Sequence, residues 1–213
     1  MVSEEKKEIK RSKRRRVILN AARALLLEKG YYNISMRQIA KLADMGTGTI
    51  YFYFKNKEEI YATLSEEVFD LILAGMRRAS EAAGTPRAKL RGIAEALLEF
   101  RRRHKSYYDF LDYFIAAPFV IFPPPLKKRI DDYGLRVLGP IMDALREGVA
   151  ARDFMRLDVR EYALIYIASL RGAIHYHKLQ GTILKDYPFD ALYRRVVESF
   201  IKSLSPSIPR KRV

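Results

Sequence analysis

No cysteine occurs among the 213 residues. Its absence excludes a disulfide framework and thiolate chemistry, and fits the reducing interior of a cell. No apolar run reaches the roughly 18 residues needed to cross a bilayer. The first sixteen residues are charged rather than apolar, so a signal peptide or N-terminal anchor is not expected and the cytoplasm is the expected location. Alternating Val, Ile or Thr patterns are missing, so no sheet is expected. Histidine occurs only at His104, His175 and His177. The last two stand about 200° apart on a helix that turns about 100° per residue, a poor chelate, and no metal site is expected. There is no G-x-S-x-G elbow and no legible Ser, His and Asp arrangement, so no catalytic residue and no enzymatic activity are assigned. Gly46-Thr47-Gly48 lacks the third glycine and the following Lys-Ser/Thr of a phosphate loop, and no cofactor is expected.

What the chain does hold is positive charge. Forty Lys and Arg against 25 Asp and Glu leave a formal charge of +15, which favours an anionic partner. Nucleic acid and an acidic lipid surface both satisfy that requirement. With 49% hydrophobic residues, the chain can bury one large core or two smaller ones. Eight of the cations lie within residues 1–16. This arm is expected to fray at its start and to become helical near residues 10–13. It is either a solvated tail or an arm lying on a DNA backbone or minor groove. Val17, Ile18, Ala21, Ala22, Leu25 and Leu26 then repeat at helical spacing up to Gly30, a C-capping glycine.

Residues 35–57 carry the strongest pattern. They divide into a short helix (35–42), a tight turn (43–46) and a second short helix (47–54). Ile39, Ala40, Ala43, Met45, Ile50 and Phe54 fall on inner faces. Thr47, Thr49, Tyr51, Phe52 and Tyr53 are left pointing mostly outward, among Arg37, Lys41, Lys55 and Lys57. That is the layout of a helix-turn-helix whose second helix enters the major groove of DNA. Asn56 is placed to cap a fourth helix that opens Lys57-Glu58-Glu59-Ile60 and runs to about residue 83.

The run from Ile39-Ala40-Lys41-Leu42-Ala43-Asp44 through Tyr51-Phe52-Tyr53-Phe54-Lys55-Asn56-Lys57 resembles the DNA-binding signature of the TetR family of repressors, and the resemblance extends over residues 10–62. Two positions depart from it. Asp44 stands where the family usually has Gly, and Asp tolerates the left-handed conformation better than most residues. Gly46 replaces a capping Ser, which removes a hydroxyl that would contact phosphate. The resemblance implies base or phosphate contacts for Thr47 and Thr49, close backbone approach at Gly48, and phosphate anchoring by Tyr51, Tyr53 and Lys57. Phe52 would meet a thymine methyl or a sugar, Arg37 a base or phosphate, and the Ser35 hydroxyl either caps its helix or meets a phosphate. Core packing is the alternative for Tyr51 and Tyr53.

Beyond the break at Gly84-Thr85-Pro86 the pattern is helical throughout: 86–104, 106–117, 127–151, 158–180 and 189–204. Aromatic and aliphatic residues crowd between 107 and 122, and Pro118 and Pro123 to Pro125 bend that material back on itself. It is either plain core or the wall of an apolar cavity. The resemblance favours a ligand site, assigned to Phe110, Tyr113, Phe114, Phe119, Phe122 and Tyr166, for a lipophilic or aromatic small molecule. Tyr162, Ile165, Ser169, Ala173, Val196, Val197 and Phe200 exceed what one packing face needs. They are assigned to a two-fold four-helix dimer interface, with internal core as the alternative.

The expectation is therefore an all-α protein. Residues 1–56 form a basic arm and a three-helix DNA-binding domain, 57–205 a larger helical effector-binding and dimerisation domain, and 206–213 a mobile basic tail. Its expected partners are a double-stranded palindromic operator, an apolar effector and a second copy of itself, with no membrane. A basic helical protein of lipid surfaces, without sequence-specific DNA binding, is the rival reading.

Overall fold

The computed structural model describes residues 2–116, 122–176 and 188–206. Phe119, the predicted end of the 158–180 helix and most of the predicted basic tail lie outside them. Every regular element among the described residues is helical. Two compact units form, one from Met1–Asp70 with Arg103–Gly134, the other from Leu71–Arg102 with Leu135–Val213.

The first unit is built on α1 (Val2–Lys29), a 3-10 turn (Tyr31–Asn33), α2 (Met36–Leu42) and α3 (Thr47–Tyr53). It continues with the first half of α4 (Lys57–Glu81), and with α6 (Lys105–Ala116) and most of α7 (Pro124–Val137). α1 begins at Val2, not near residue 10 as expected. No Gly or Pro interrupts residues 2–29, and Glu4 and Glu5 favour the positive end of the helix. Ile18, Leu19, Ala22 and Leu26 of α1 form one buried stripe, sharing the core with Ile39, Ile50, Phe54, Ile60, Tyr61, Leu64 and Val68. Gly30 ends α1 with φ 72°, a conformation that favours glycine.

The second unit holds the rest of α4, then α5 (Pro86–Arg103) up to Arg102, α8 (Gly139–Ala150), α9 (Val159–Tyr176) and α10 (Phe189–Ser203). Two buried tyrosines tie α9 and α10 to α5. Tyr166 Oη donates to the Leu90 carbonyl and Tyr193 Oη to the Ala94 carbonyl one turn later, each at 2.8 Å. Arg87 donates to the carbonyls of Ile201 and Asp153 and to Ser205 Oγ, each at 3.1 Å. The predicted single helix over 127–151 is two helices, broken at Leu138. Pro140 has no N–H to give and its ring crowds the carbonyl four residues back, so α8 starts afresh with proline in its first turn. No helix among the described residues is long and apolar enough to cross a membrane.

Candidate nucleic-acid interface

Local chemistry fixes the two short helices. At the start of α2, the Ser35 and Gln38 side chains cap each other's backbone. Gln38 N–H donates to Ser35 Oγ at 3.3 Å and Ser35 N–H donates to Gln38 Oε1 at 2.7 Å. The Ser35 hydroxyl also donates to Gln38 Oε1 at 3.1 Å, so capping is the role the structure gives it. In the turn, Asp44 takes φ 52°, the left-handed geometry expected of a residue standing where glycine is usual. Gly46 caps α3 without a side-chain hydrogen bond.

α3 is held from one side and open on the other. Ile50 and Phe54 are buried, while Phe52 is 73% exposed and Tyr51 54% exposed. Thr47 and Gly48 are exposed, and Thr49 and Tyr53 half-buried. The Tyr53 ring meets the Phe52 ring edge-on, with centroids 5.2 Å apart. A Cβ built on Gly48 would have nothing within 4 Å, so the folded chain itself imposes no need for glycine there. Arg37, Lys41 and Lys55 are exposed nearby in sequence. The outward set thus combines hydroxyls, a bare backbone, an apolar ring and cations, a mixture that can meet both base edges and phosphates.

Lys57 is placed differently from its neighbours. Its ammonium donates to the carbonyls of Tyr31 at 3.1 Å and Ile34 at 3.2 Å, and sits 4.3 Å above the centre of the Tyr31 ring. Two of its three donors therefore brace the loop between α1 and α2. Arg15 is likewise bound into the head: its guanidinium lies 4.6 Å over the Phe54 ring and donates to Thr63 Oγ1 at 3.3 Å. Counted in the sequence only as one of the arm's cations, Arg15 has a packing role that no local signal could have shown.

Residues 18–64, spanning this head, match the family model of bacterial regulatory proteins of the tetR family. The head of the chain is a DNA-binding domain of the tetR family. It is 36% identical over 96 residues to the uncharacterized HTH-type transcriptional regulator YhgD of Bacillus subtilis, covering 43% of this chain and 48% of that protein. It is 37% identical over 73 residues to the fatty acid metabolism regulator protein of the same organism, covering 34% and 38%. The chain thus spans about half or less of the length of these relatives. In fold, it resembles the solved transcriptional regulator FadR of Bacillus subtilis in complex with stearoyl-CoA. The TM-score is 0.72 at 23% identity, over 88% of this chain and 97% of that one.

The residues assigned to an effector fall in both units. Phe110, Tyr113, Phe114 and Phe122 gather in the first unit. Phe114 stands 5.0 Å from Phe110, 5.6 Å from Tyr113 and 5.5 Å from Phe122, ring centre to ring centre. Tyr31 and Tyr61, which the sequence did not single out, complete this cluster at 6.1 and 5.6 Å from Phe114. Burial, then the 2.7 Å hydrogen bond to Glu58, raises the Tyr31 phenol well above its ordinary range, so it remains a donor. Tyr166 belongs to the second unit, where it is fully buried and stacked on Phe200 at 4.4 Å. It packs the core of that unit.

The proposed dimer residues also divide. Ala173, Val197 and Phe200 are buried within the chain's own second unit, where the internal-core alternative would put them. α10 buries Phe189, Tyr193, Val197, Phe200 and Ile201, a helical stripe consumed by intramolecular packing. Tyr162, Ser169 and Val196 are half-buried at its flank. Ile165 is 44% exposed beside Leu164 at 48%, with Ala168 exposed one turn on. Leu164 was not among the positions the apolar stripe assigned to that face, because such a stripe does not say which side the chain itself will cover.

Proposed function

We propose that this chain is a ligand-responsive transcriptional repressor that binds a palindromic DNA operator as a homodimer. The observation that carries the reading is α3 itself, pinned through buried Ile50 and Phe54 while Thr47, Gly48, Tyr51 and Phe52 face outward. Two such helices, one per protomer, would enter successive major grooves about 34–36 Å apart on one face of the duplex. The exposed Leu164, Ile165 and Ala168 of α9 supply apolar surface for the second protomer. An effector acts by favouring one spacing of the reading helices over another, to the extent that it binds the two arrangements unequally.

The aromatic cluster around Phe114 supports an effector with an apolar or aromatic body, and the stearoyl-CoA bound by the structurally similar FadR is consistent with an acyl chain. The test is selection of bound duplexes from a random pool, followed by titration of the selected duplex with acyl-CoA thioesters of increasing chain length. A two-fold symmetric consensus, with affinity weakened by one length class, is expected. A pool that converges on no sequence would overturn the operator reading, and a selected duplex indifferent to every thioester would overturn the acyl effector.

A further inference from the structure

The early turns of α1 present a second cationic surface. Residues 4–14 are all exposed, yet they form continuous helix with the buried stripe that begins at Ile18. At about 100° per residue, Lys6, Lys7, Lys10, Arg11, Lys13 and Arg14 fall within an arc of about 160°. Glu4, Glu5 and Glu8 fall outside it. Charge on this rod is therefore sorted by face, which a merely solubilising tail does not require. Residues 2–14 contain only Val2 and Ile9 as apolar residues. A helix that lies in a lipid surface needs an apolar face, and this one has none. The rod also starts from a defined place. Arg15, its next residue, sits over Phe54, the residue that closes α3, and bonds Thr63 of α4.

We infer that the cationic face of residues 6–14 is a helical clamp for the phosphates flanking the operator, laid along the backbone from beside the end of the reading helix. The inference rests on the DNA-binding reading above. The nine residues of helix reach about 14 Å. Along B-DNA that is about four base pairs, offering one phosphate charge per roughly 1.7 Å of axis. A preformed helix gives up little chain entropy on docking, whereas an extended arm must be ordered at that moment. Its contacts carry no sequence preference, so the clamp adds affinity and leaves selectivity to α3.

The test uses the full chain and a duplex selected from a random pool, in a long form with about four flanking base pairs on each side and a form trimmed of them. The variant Lys6→Gln/Lys10→Gln/Lys13→Gln is expected to lower the slope of log affinity against log salt by about two to three per arm on the long duplex. On the trimmed duplex its affinity should match the parent chain. A charge-swapped variant, Glu5→Lys/Lys6→Glu/Glu8→Lys/Lys10→Glu, keeps the net charge but disperses the cationic face, and should lose affinity similarly. Circular dichroism and melting on both variants confirm that helix and fold survive. Parent-like binding of the long duplex by the first variant overturns the clamp, and so does parent-like binding by the swapped one, which would make net charge the cause. Binding of the parent chain, but not the first variant, to phosphatidylserine vesicles with duplex affinity unchanged would assign the face to membranes instead. A pool yielding no duplex would overturn the DNA reading and the clamp together, whereas a selected duplex bound equally by all variants overturns the clamp alone.

Discussion

The phenolic oxygen of Tyr113 accepts a hydrogen bond from the backbone N–H of Tyr31 at 3.0 Å, across 82 positions of sequence. Tyr31 follows Gly30, whose left-handed turn ends α1, and a Cβ on Gly30 would lie 3.4 Å from the same phenolic oxygen. The helix carrying the aromatic segment is thereby bonded to the loop that leads into α2. Replacing Tyr113 by Phe leaves the Tyr31 N–H without its acceptor and should destabilise the chain by about 1–3 kcal/mol. Urea unfolding checks the magnitude, and faster amide exchange at Tyr31 checks the place.

Gly48→Ala separates the needs of the fold from those of the partner. The added Cβ meets open space, and alanine favours the helix by up to about 1 kcal/mol over glycine, so the melting temperature should rise or hold. If a DNA backbone approaches Gly48, affinity for the selected duplex should nonetheless fall, by about tenfold for each 1.4 kcal/mol of lost contact. A stabilised variant with undiminished affinity would remove Gly48 from the interface.

Lys57→Met tests the bracing of the α1–α2 loop. Losing two charge-assisted bonds to the carbonyls of Tyr31 and Ile34 should cost about 1.5–3 kcal/mol of stability. A phosphate anchor alone would show the reverse, with stability intact and a salt slope smaller by about one.

Ile165→Asp places a carboxylate on the exposed apolar face of α9 and should shift a homodimer to monomer in sedimentation at micromolar protein, while the fold persists. Lys at Leu164 should do the same. Dimers unaffected by either change would move the interface elsewhere.

Glu198 accepts two hydrogen bonds from Arg91, at 2.6 and 2.8 Å, and these bonds first of all hold its carboxyl below the usual carboxylate range. A carboxyl with a lowered folded-state value contributes its stability above the unfolded value, about pH 4.3, and loses it as pH falls through the folded one. Both side chains are exposed, so the contribution is at most about 1 kcal/mol. Glu198→Gln should lower stability slightly at pH 7 and converge with the parent chain near pH 3, as read by urea midpoints.

Much of the head was legible before any coordinates. The Asp44 turn, the Ser35 cap and the Asn56 cap, whose Oδ1 accepts the Glu59 N–H at 2.8 Å, depend on residues within three or four positions. The break at Pro140 was written equally locally, yet the apolar repeat running through it masked the interruption.

The amino-acid sequence by itself determined where α2 and α3 begin and end, and which face of α3 turns inward, because caps, turns and periodicity act over one or two turns of chain. Only the tertiary structure decided where long side chains end. Lys57 reaches back 26 residues to a carbonyl, Tyr113 reaches back 82 to an amide, and Val197 and Phe200 turn into their own unit while Leu164 and Ile165 stay outside. An apolar stripe records that burial is favourable without specifying the surface that covers it, and a cation records attraction without specifying its anion or dipole. Those choices are made by the packing of distant elements.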